Sequence, residues 1–201
     1  VGHYELGPLA LQLGLTRLQR MDPVKEASAL IEALADETSQ SVAVAVWGNF
    51  GPTIVRLEEP AQPLHVNLRT GTVMSLVNTA TGRLFAAYMP PKVVERLLSE
   101  EISRLSYGTV QGPPVDSDTL ETLLAETRKH GLARTRGQPI PGIDALCAPV
   151  FDSAGHLVLG ILVMGPAATF DSEWDGVIAG PLRQCAQEVS RRIGRDYPQE
   201  R

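Results

Sequence analysis

The runs ALCAPVF (Ala145–Phe151), DSAG (Asp152–Gly155) and HLVLGILVM (His156–Met164) follow one another without a break. Two apolar stretches joined by four turn-forming residues read as a β-hairpin. Each strand is apolar at successive positions, so each is expected to be covered on both faces and to lie centrally in a sheet. Alternation puts Leu162 and Met164 on one side with Val158 and Gly160, and Ile161 and Val163 on the other. Just upstream, Gly137-Gln138-Pro139-Ile140-Pro141-Gly142 carries two prolines and two glycines in six residues and reads as a loop. Before it, Leu132–Arg136 is a further strand, with Arg134 and Arg136 opposite Thr135 and so not assigned as carboxylate clamps. Downstream, Ser172 to Ile193 reads as a long helix, bent near Gly180-Pro181 and ended by Gly194.

The same periodicities organise the rest. Leu6, Leu9, Ala10, Leu13 and Leu18 suggest a short opening helix. Asp22 as N-cap, Pro23 at the first helical position and the stripe Val24, Ala27, Leu30, Ile31, Leu34 and Ala35 mark a second one. Ser41–Trp47 and Thr53–Glu59 are strands around the turn Gly48–Pro52, and Leu64–Leu68 reads as a third, making an antiparallel meander. Thr79–Tyr88, Pro91–Glu101 and Asp118–His130 are helices, the last stopped by Gly131, with a polar loop at Gly108–Pro114. The expected class is α+β: a five- or six-stranded, mostly antiparallel sheet flanked by helices.

Composition excludes several functions. A chain of 201 residues, 43% hydrophobic and 20% charged, has the size of one globular domain. No apolar stretch approaches the roughly 20 residues of a membrane helix. The net charge is −5, and the 18 Lys and Arg are scattered, which argues against this segment gripping nucleic acid. Arg191-Arg192-Ile193-Gly194-Arg195 reads as the solvated end of a helix, where cations face the negative dipole end. Cys147 and Cys185 read as core thiols of a reducing cytosol. The start at Val1-Gly2-His3-Tyr4, without Met or a signal, gives the expectation that the chain is cut from something longer.

The common enzyme motifs are missing: there is no nucleophile elbow, phosphate-binding loop or dinucleotide turn. His3, His65, His130 and His156 have no metal-ligand spacing. His130 is accounted for at a helix C-terminus and His156 as a solvated residue after a turn. Cys147 has no activating base nearby in sequence, so packing explains it better than nucleophilic chemistry. Glu58-Glu59, Glu100-Glu101 and the acids of Asp171–Asp175 read as solvated or helix-start charges. No catalytic residue, metal or cofactor is expected. Asn78-Thr79-Ala80-Thr81-Gly82-Arg83 remains. Its small residues at a helix start suit either close packing or the capture of a carboxylate by free backbone N–H groups.

In order along the chain, these segments resemble the effector-binding domain of IclR-family bacterial transcriptional regulators. They are Tyr4-Glu5-Leu6-Gly7, Thr79–Arg83 with Leu84-Phe85-Ala86-Ala87, Arg128 before Gly131, and Pro141-Gly142-Ile143. Ala148-Pro149-Val150-Phe151-Asp152 with Gly155, Gly165-Pro166 and Val189–Gly194 complete the set. The resemblance implies a GAF-like fold over 21–201, with 1–20 a linker helix entering from an N-terminal winged helix-turn-helix. It also implies a small-molecule effector, assembly into homodimers or homotetramers, operator DNA contacted through the other domain, no membrane partner and a cytoplasmic location. By position, the implied ligand-binding residues are Val66, Met74, Ala80, Thr81, Thr135, Ile143, Ala145, Leu162 and Met164. Where members that bind small hydrophilic acids hold Asp, Cys or Ser, this chain has Thr135, Ala145, Leu162 and Met164. That departure favours a larger aromatic or aliphatic acid, because apolar walls do not replace the hydrogen bonds a small carboxylate loses from water. On this reading Leu162→Asp abolishes the response to a metabolite while the oligomer stays folded. Two other readings of the chain are a stand-alone GAF-type sensor and an enzyme on a GAF-like scaffold with Cys147 as its one candidate nucleophile.

Overall fold

The computed structural model describes residues 22–60, 68–106 and 115–194, with the side chains of 104–106 left aside. The opening helix, the Gly108–Pro114 loop and Val66 lie outside the described residues. So does most of the Leu64–Leu68 strand.

The first described helix, α1 (Pro23–Thr38), starts where the Asp22 carboxylate accepts from the Val24 and Lys25 amides at 3.0 and 3.3 Å. It buries Ala27, Ile31, Leu34 and Ala35 along one stripe, the i, i+4 spacing of an amphipathic helix. Two strands follow, β1 (Ser41–Gly48) and β2 (Gly51–Glu58), paired as a hairpin. The middle of the chain forms α2 (Ala80–Tyr88), α3 (Pro91–Ser106) and α4 (Ser117–His130). Then come β3 (Ala133–Arg136), β4 (Ile143–Phe151), β5 (Leu157–Pro166) and α5 (Ala179–Arg192).

The sheet is five-stranded and antiparallel, in the order β2-β1-β5-β4-β3. The β4–β5 hairpin is indeed internal, and β5 lies at the centre. The other edge of β1 is taken by β5, which sets the hairpin β1–β2 at one side of the sheet. The outer edge of β2 is bridged by Val73 opposite Thr53, with Ile54 N donating to Thr72 O and Met74 N to Pro52 O.

Two cores form, one on each face. On the first, Val42, Val44, Leu146, Ala148, Val150, Leu159, Ile161 and Val163 meet α1 and α5. On the second, Ala43, Ala45, Ala133, Ala145, Cys147, Leu162 and Met164 meet α2, which contributes Ala80, Leu84 and Phe85. The alternation read along β5 holds from Leu159 to Met164 and fails at Val158, which packs with the first core while Leu157 joins the second. The cause is the register shift between Val150 and Phe151, where Val150 faces Leu159 and Phe151 faces Leu157.

The last helix is shorter than its sequence suggested. It starts at Ala179, so Gly180 and Pro181 fall in its first turn, where a missing N–H costs nothing and no bend is needed. Residues 171–178 form a connecting segment instead. There the Asp171 carboxylate accepts from the Glu173 and Val177 amides, both at 3.0 Å, which holds its pKa below the usual carboxylate range. Asp171 is thus a structural acid rather than merely a solvated one. At the far end of α5, Glu188 receives hydrogen bonds from both Arg191 and Arg192, which pull its pKa down to about 2.

Candidate functional site: the helix-covered face of the sheet

The cross-strand register sets the site. Thr135, Ala145 and Met164 are direct partners in one row, and Ala133, Cys147, Leu162 and Ala43 form the next. Small residues in these rows keep the sheet surface low beneath α2. At Gly160, further along the same face, an added Cβ would come within 2.9 Å of Leu84 Cδ2 and 3.1 Å of Cys147 Sγ.

Of the residues named from the sequence, Ala80, Ala145, Leu162 and Met164 are buried in this one cluster, with Met74 and Ile143 half-buried against it. Thr135 is buried in the same row, and Thr81 is wholly buried in the first turn of α2. Leu162 is only 2% exposed, between Ala43 and Cys147, so Leu162→Asp is a core substitution first and a ligand probe second. Cys147 is fully enclosed, and burial pushes its thiol up to about 12, offset slightly by the nearby Thr81 hydroxyl. A thiol held that firmly protonated is a packing group.

The start of α2 is built by the chain just before it. Thr79 is the N-cap: its hydroxyl accepts from Gly82 N at 2.9 Å and donates to Ser75 O at 2.6 Å. Gly82 is required because a Cβ there would overlap the Ser75 carbonyl and stand 2.5 Å from Leu76 Cα. Glu101 of α3 fixes the same stretch, its carboxylate accepting from Ser75 Oγ and, at 2.8 Å, from Leu76 N. Its role is therefore structural, and the reading of Glu100-Glu101 as solvated charges holds only for Glu100, which pairs with Arg96 at the surface.

At this helix start Asn78 Oδ1 and Nδ2 are buried without a hydrogen-bond partner, and the Thr81 hydroxyl has only the Cys147 thiol beside it. An unpaired buried amide costs the apo fold about 1–3 kcal/mol. Asn78→Leu, which keeps the branched shape without the polar atoms but is bulkier, is therefore expected to stabilise the chain by about 1 kcal/mol, read as a rise in the urea midpoint at constant slope.

Arg83 went unremarked in the sequence. It is 5% exposed, and its Nε donates to Val77 O at 2.8 Å, Nη1 to Arg134 O at 3.0 Å and Nη2 to Gln138 Oε1 at 3.5 Å. Burial lowers its pKa, offset in part by the charge of Glu126. Arg83 lines a cleft of about 410 Å³ at the free edge of β3, together with Thr135, Gln138, Arg134, Arg136 and Trp174 among others. Arg134 and Arg136 are engaged: Arg134 lies 4.0 Å over the Trp174 ring and donates to Ser172 O, while Arg136 pairs with Glu173 at 2.7 Å. Both tie the 171–178 segment to the sheet, in keeping with their not being read as clamps. His130 closes α4 by stacking on Trp174, with ring centroids 4.4 Å apart.

Among the described residues no group of three His, Cys, Asp or Glu is arranged to hold a metal, and no helix is long and apolar enough to cross a membrane. A two-faced α+β sheet, with one face packed by two helices and the other set with small residues beneath a tightly capped helix, defines a regulatory-type domain of GAF-like architecture.

The chain belongs to the bacterial transcriptional regulator IclR C-terminal family, whose model matches residues 15–191. It is similar to the crystal structure of HmgR from Pseudomonas aeruginosa, with 36% identity and a TM-score of 0.86, covering 96% of this chain and 76% of that one. The glycerol operon regulatory protein of Streptomyces coelicolor is 28% identical over 199 residues, 96% of this chain and 75% of the relative. BhcR of Paracoccus denitrificans is 23% identical over 188 residues, 93% of this chain and 66% of the relative. The chain thus spans about two thirds to three quarters of the relatives it matches, and these relatives are transcriptional regulators rather than enzymes.

Proposed function

We propose that this chain is the effector-sensing and oligomerising half of an IclR-type transcription factor, and that its ligand is an aromatic or longer aliphatic acid seated on the α2 face of the sheet. The observation that carries the reading is the register that brings Thr135, Ala145 and Met164 into one row beside Leu162, with Met74, Ile143, Ala80 and Thr81 around them. One threonine among apolar neighbours suits a ligand whose bulk is hydrocarbon. Operator binding belongs to a winged helix-turn-helix outside this chain, in a cytoplasmic homodimer or homotetramer. Ligand binding shifts the population between DNA-competent and incompetent arrangements.

Thermal unfolding tests the ligand class, with phenylacetate and octanoate set against glyoxylate and pyruvate. A ligand at about 100 times its dissociation constant adds roughly 2.7 kcal/mol, a rise on the order of 5–10 °C for a domain of this size. A rise confined to the two bulky acids is the expected result. A rise only with glyoxylate or pyruvate, or with none of the four, overturns the proposed ligand class.

A further inference from the structure

We propose that Arg83 is the carboxylate anchor of the effector, and that the cleft it lines at the free edge of β3 receives the acidic end of the ligand. This rests on the effector reading above and adds what that reading lacks, a counter-charge for the acid.

The first argument is the state of the guanidinium. Arg83 is almost fully buried, and its three hydrogen-bond partners are two backbone carbonyls and a side-chain amide, the last at 3.5 Å. A guanidinium carries five N–H donors, so capacity is left over. Burying a cation is costly unless it is paired. Glu126 is the one carboxylate lining the cleft, and it makes no hydrogen bond to Arg83. Neutral donors would serve to tie the Val77 and Arg134 carbonyls together, and the charge of Glu126 acts on the guanidinium without bonding to it, which leaves room for a directly bonded anion.

The second argument is local. With Thr79 as N-cap, Asn78 is the residue before the cap and Arg83 the fourth residue of the helix, the two positions that lie against one another at a helix entry. The amide of Asn78 is wholly buried with neither polar atom bonded. A buried cation with donors to spare and a buried amide without a partner thus belong to the same helix entry.

The third argument is connection. Thr135 lines the cleft and also begins the row Thr135, Ala145, Met164. Adjacent strands are about 4.8 Å apart, so two strand steps, about 10 Å, separate Thr135 at the cleft from Met164. A monocarboxylate with an aryl or medium alkyl tail spans that distance, its acid at Arg83 and its tail over Ala145 and Met164.

The test uses the full 201-residue chain labelled with ¹⁵N, titrated with benzoate and separately with neutral benzamide at constant ionic strength. The expected result is a saturable shift of the Arg83 Nε–Hε resonance with benzoate and none with benzamide. Arg83→Gln should weaken benzoate binding at least tenfold and remove the preference for acid over amide. Arg83→Lys, which keeps the charge without the fork, should fall between. If circular dichroism shows that Arg83→Gln does not fold, Arg83→Lys carries the test, expected to weaken benzoate severalfold. Equal response to benzamide, no saturable shift, or wild-type benzoate affinity in the folded variants overturns the anchor. The two readings fail separately. Stabilisation by phenylacetate or octanoate without any Arg83 response sinks the anchor alone, and an Arg83 response alongside stabilisation only by glyoxylate or pyruvate sinks the bulky-acid class alone.

Discussion

Gly82→Ala is expected to destabilise the domain by about 3 kcal/mol or more, visible as a large drop in urea midpoint or melting temperature. Helix propensity by itself predicts the opposite sign, since alanine in place of glycine inside a helix gains about 1 kcal/mol. The structure decides against propensity because the added Cβ would overlap the Ser75 carbonyl oxygen and press on Leu76 Cα, both backbone atoms. Neither can swing away: Leu76 N is held by Glu101, and the Ser75 carbonyl accepts from the Thr79 cap. Gly165→Ala is the matched control. There the first obstacle is the amide end of Gln40, a flexible side chain, with the Phe170 ring next at 3.0 Å, and the expected cost is about 1–2 kcal/mol, below that at Gly82. A Gly82→Ala chain as stable as wild type would show that residues 75–82 do not cross as described, and the geometry around Asn78 and Arg83 would go with it.

Leu162→Asp is expected to unfold the domain, or to cost it about 3–5 kcal/mol at neutral pH, rather than to silence a ligand response in an intact fold. Leu162 lies between Ala43 and Cys147 in the sheet, is 2% exposed, and sits within an apolar cluster. A carboxylate placed there has a pKa raised above its unfolded value of about 3.9. The sign of the pH effect follows. The penalty for charge is absent below the unfolded pKa and grows as pH rises toward the raised folded value, so the variant should be closer to wild type at pH 4 than at pH 7. Urea unfolding at the two pH values measures this. A variant fully stable at pH 7 would mean that position 162 borders open space large enough to hydrate a carboxylate.

Much of the fold was legible because it is written in local periodicity. The DSAG turn between two apolar runs, the Asp22-Pro23 start of α1, the glycine that ends α4 and the loop at 137–142 each depend on residues close in sequence. Local signals were weakest where a connecting segment mimicked a helix. Ser172–Ile178 carries helix-compatible residues, but Asp171 gathers its amides and Arg134 and Arg136 hold Ser172 and Glu173 from a distant strand. The parity of β5 misled at Val158 for a related reason, since a one-residue irregularity in pairing belongs to two strands and neither sequence alone displays it.

For the candidate site, the sequence by itself determined which residues are small, which alternate, and which family the chain resembles. The resemblance carries Ala80, Thr81, Thr135, Ala145, Leu162 and Met164 as one set, and strand parity by itself places Leu162 and Met164 on one face. Tertiary structure alone decided that β1 pairs with the distant β5 and that Glu101 braces Ser75 and Leu76. It alone decided, too, that Arg83 is buried. An arginine in sequence reads as a solvated charge, and only the convergence of Val77, Arg134 and Gln138, up to 55 residues away along the chain, closes around this one. Burial and pairing depend on groups brought together from distant segments, and that is why the charge most suited to meet an acid could not be read from its neighbours in the chain.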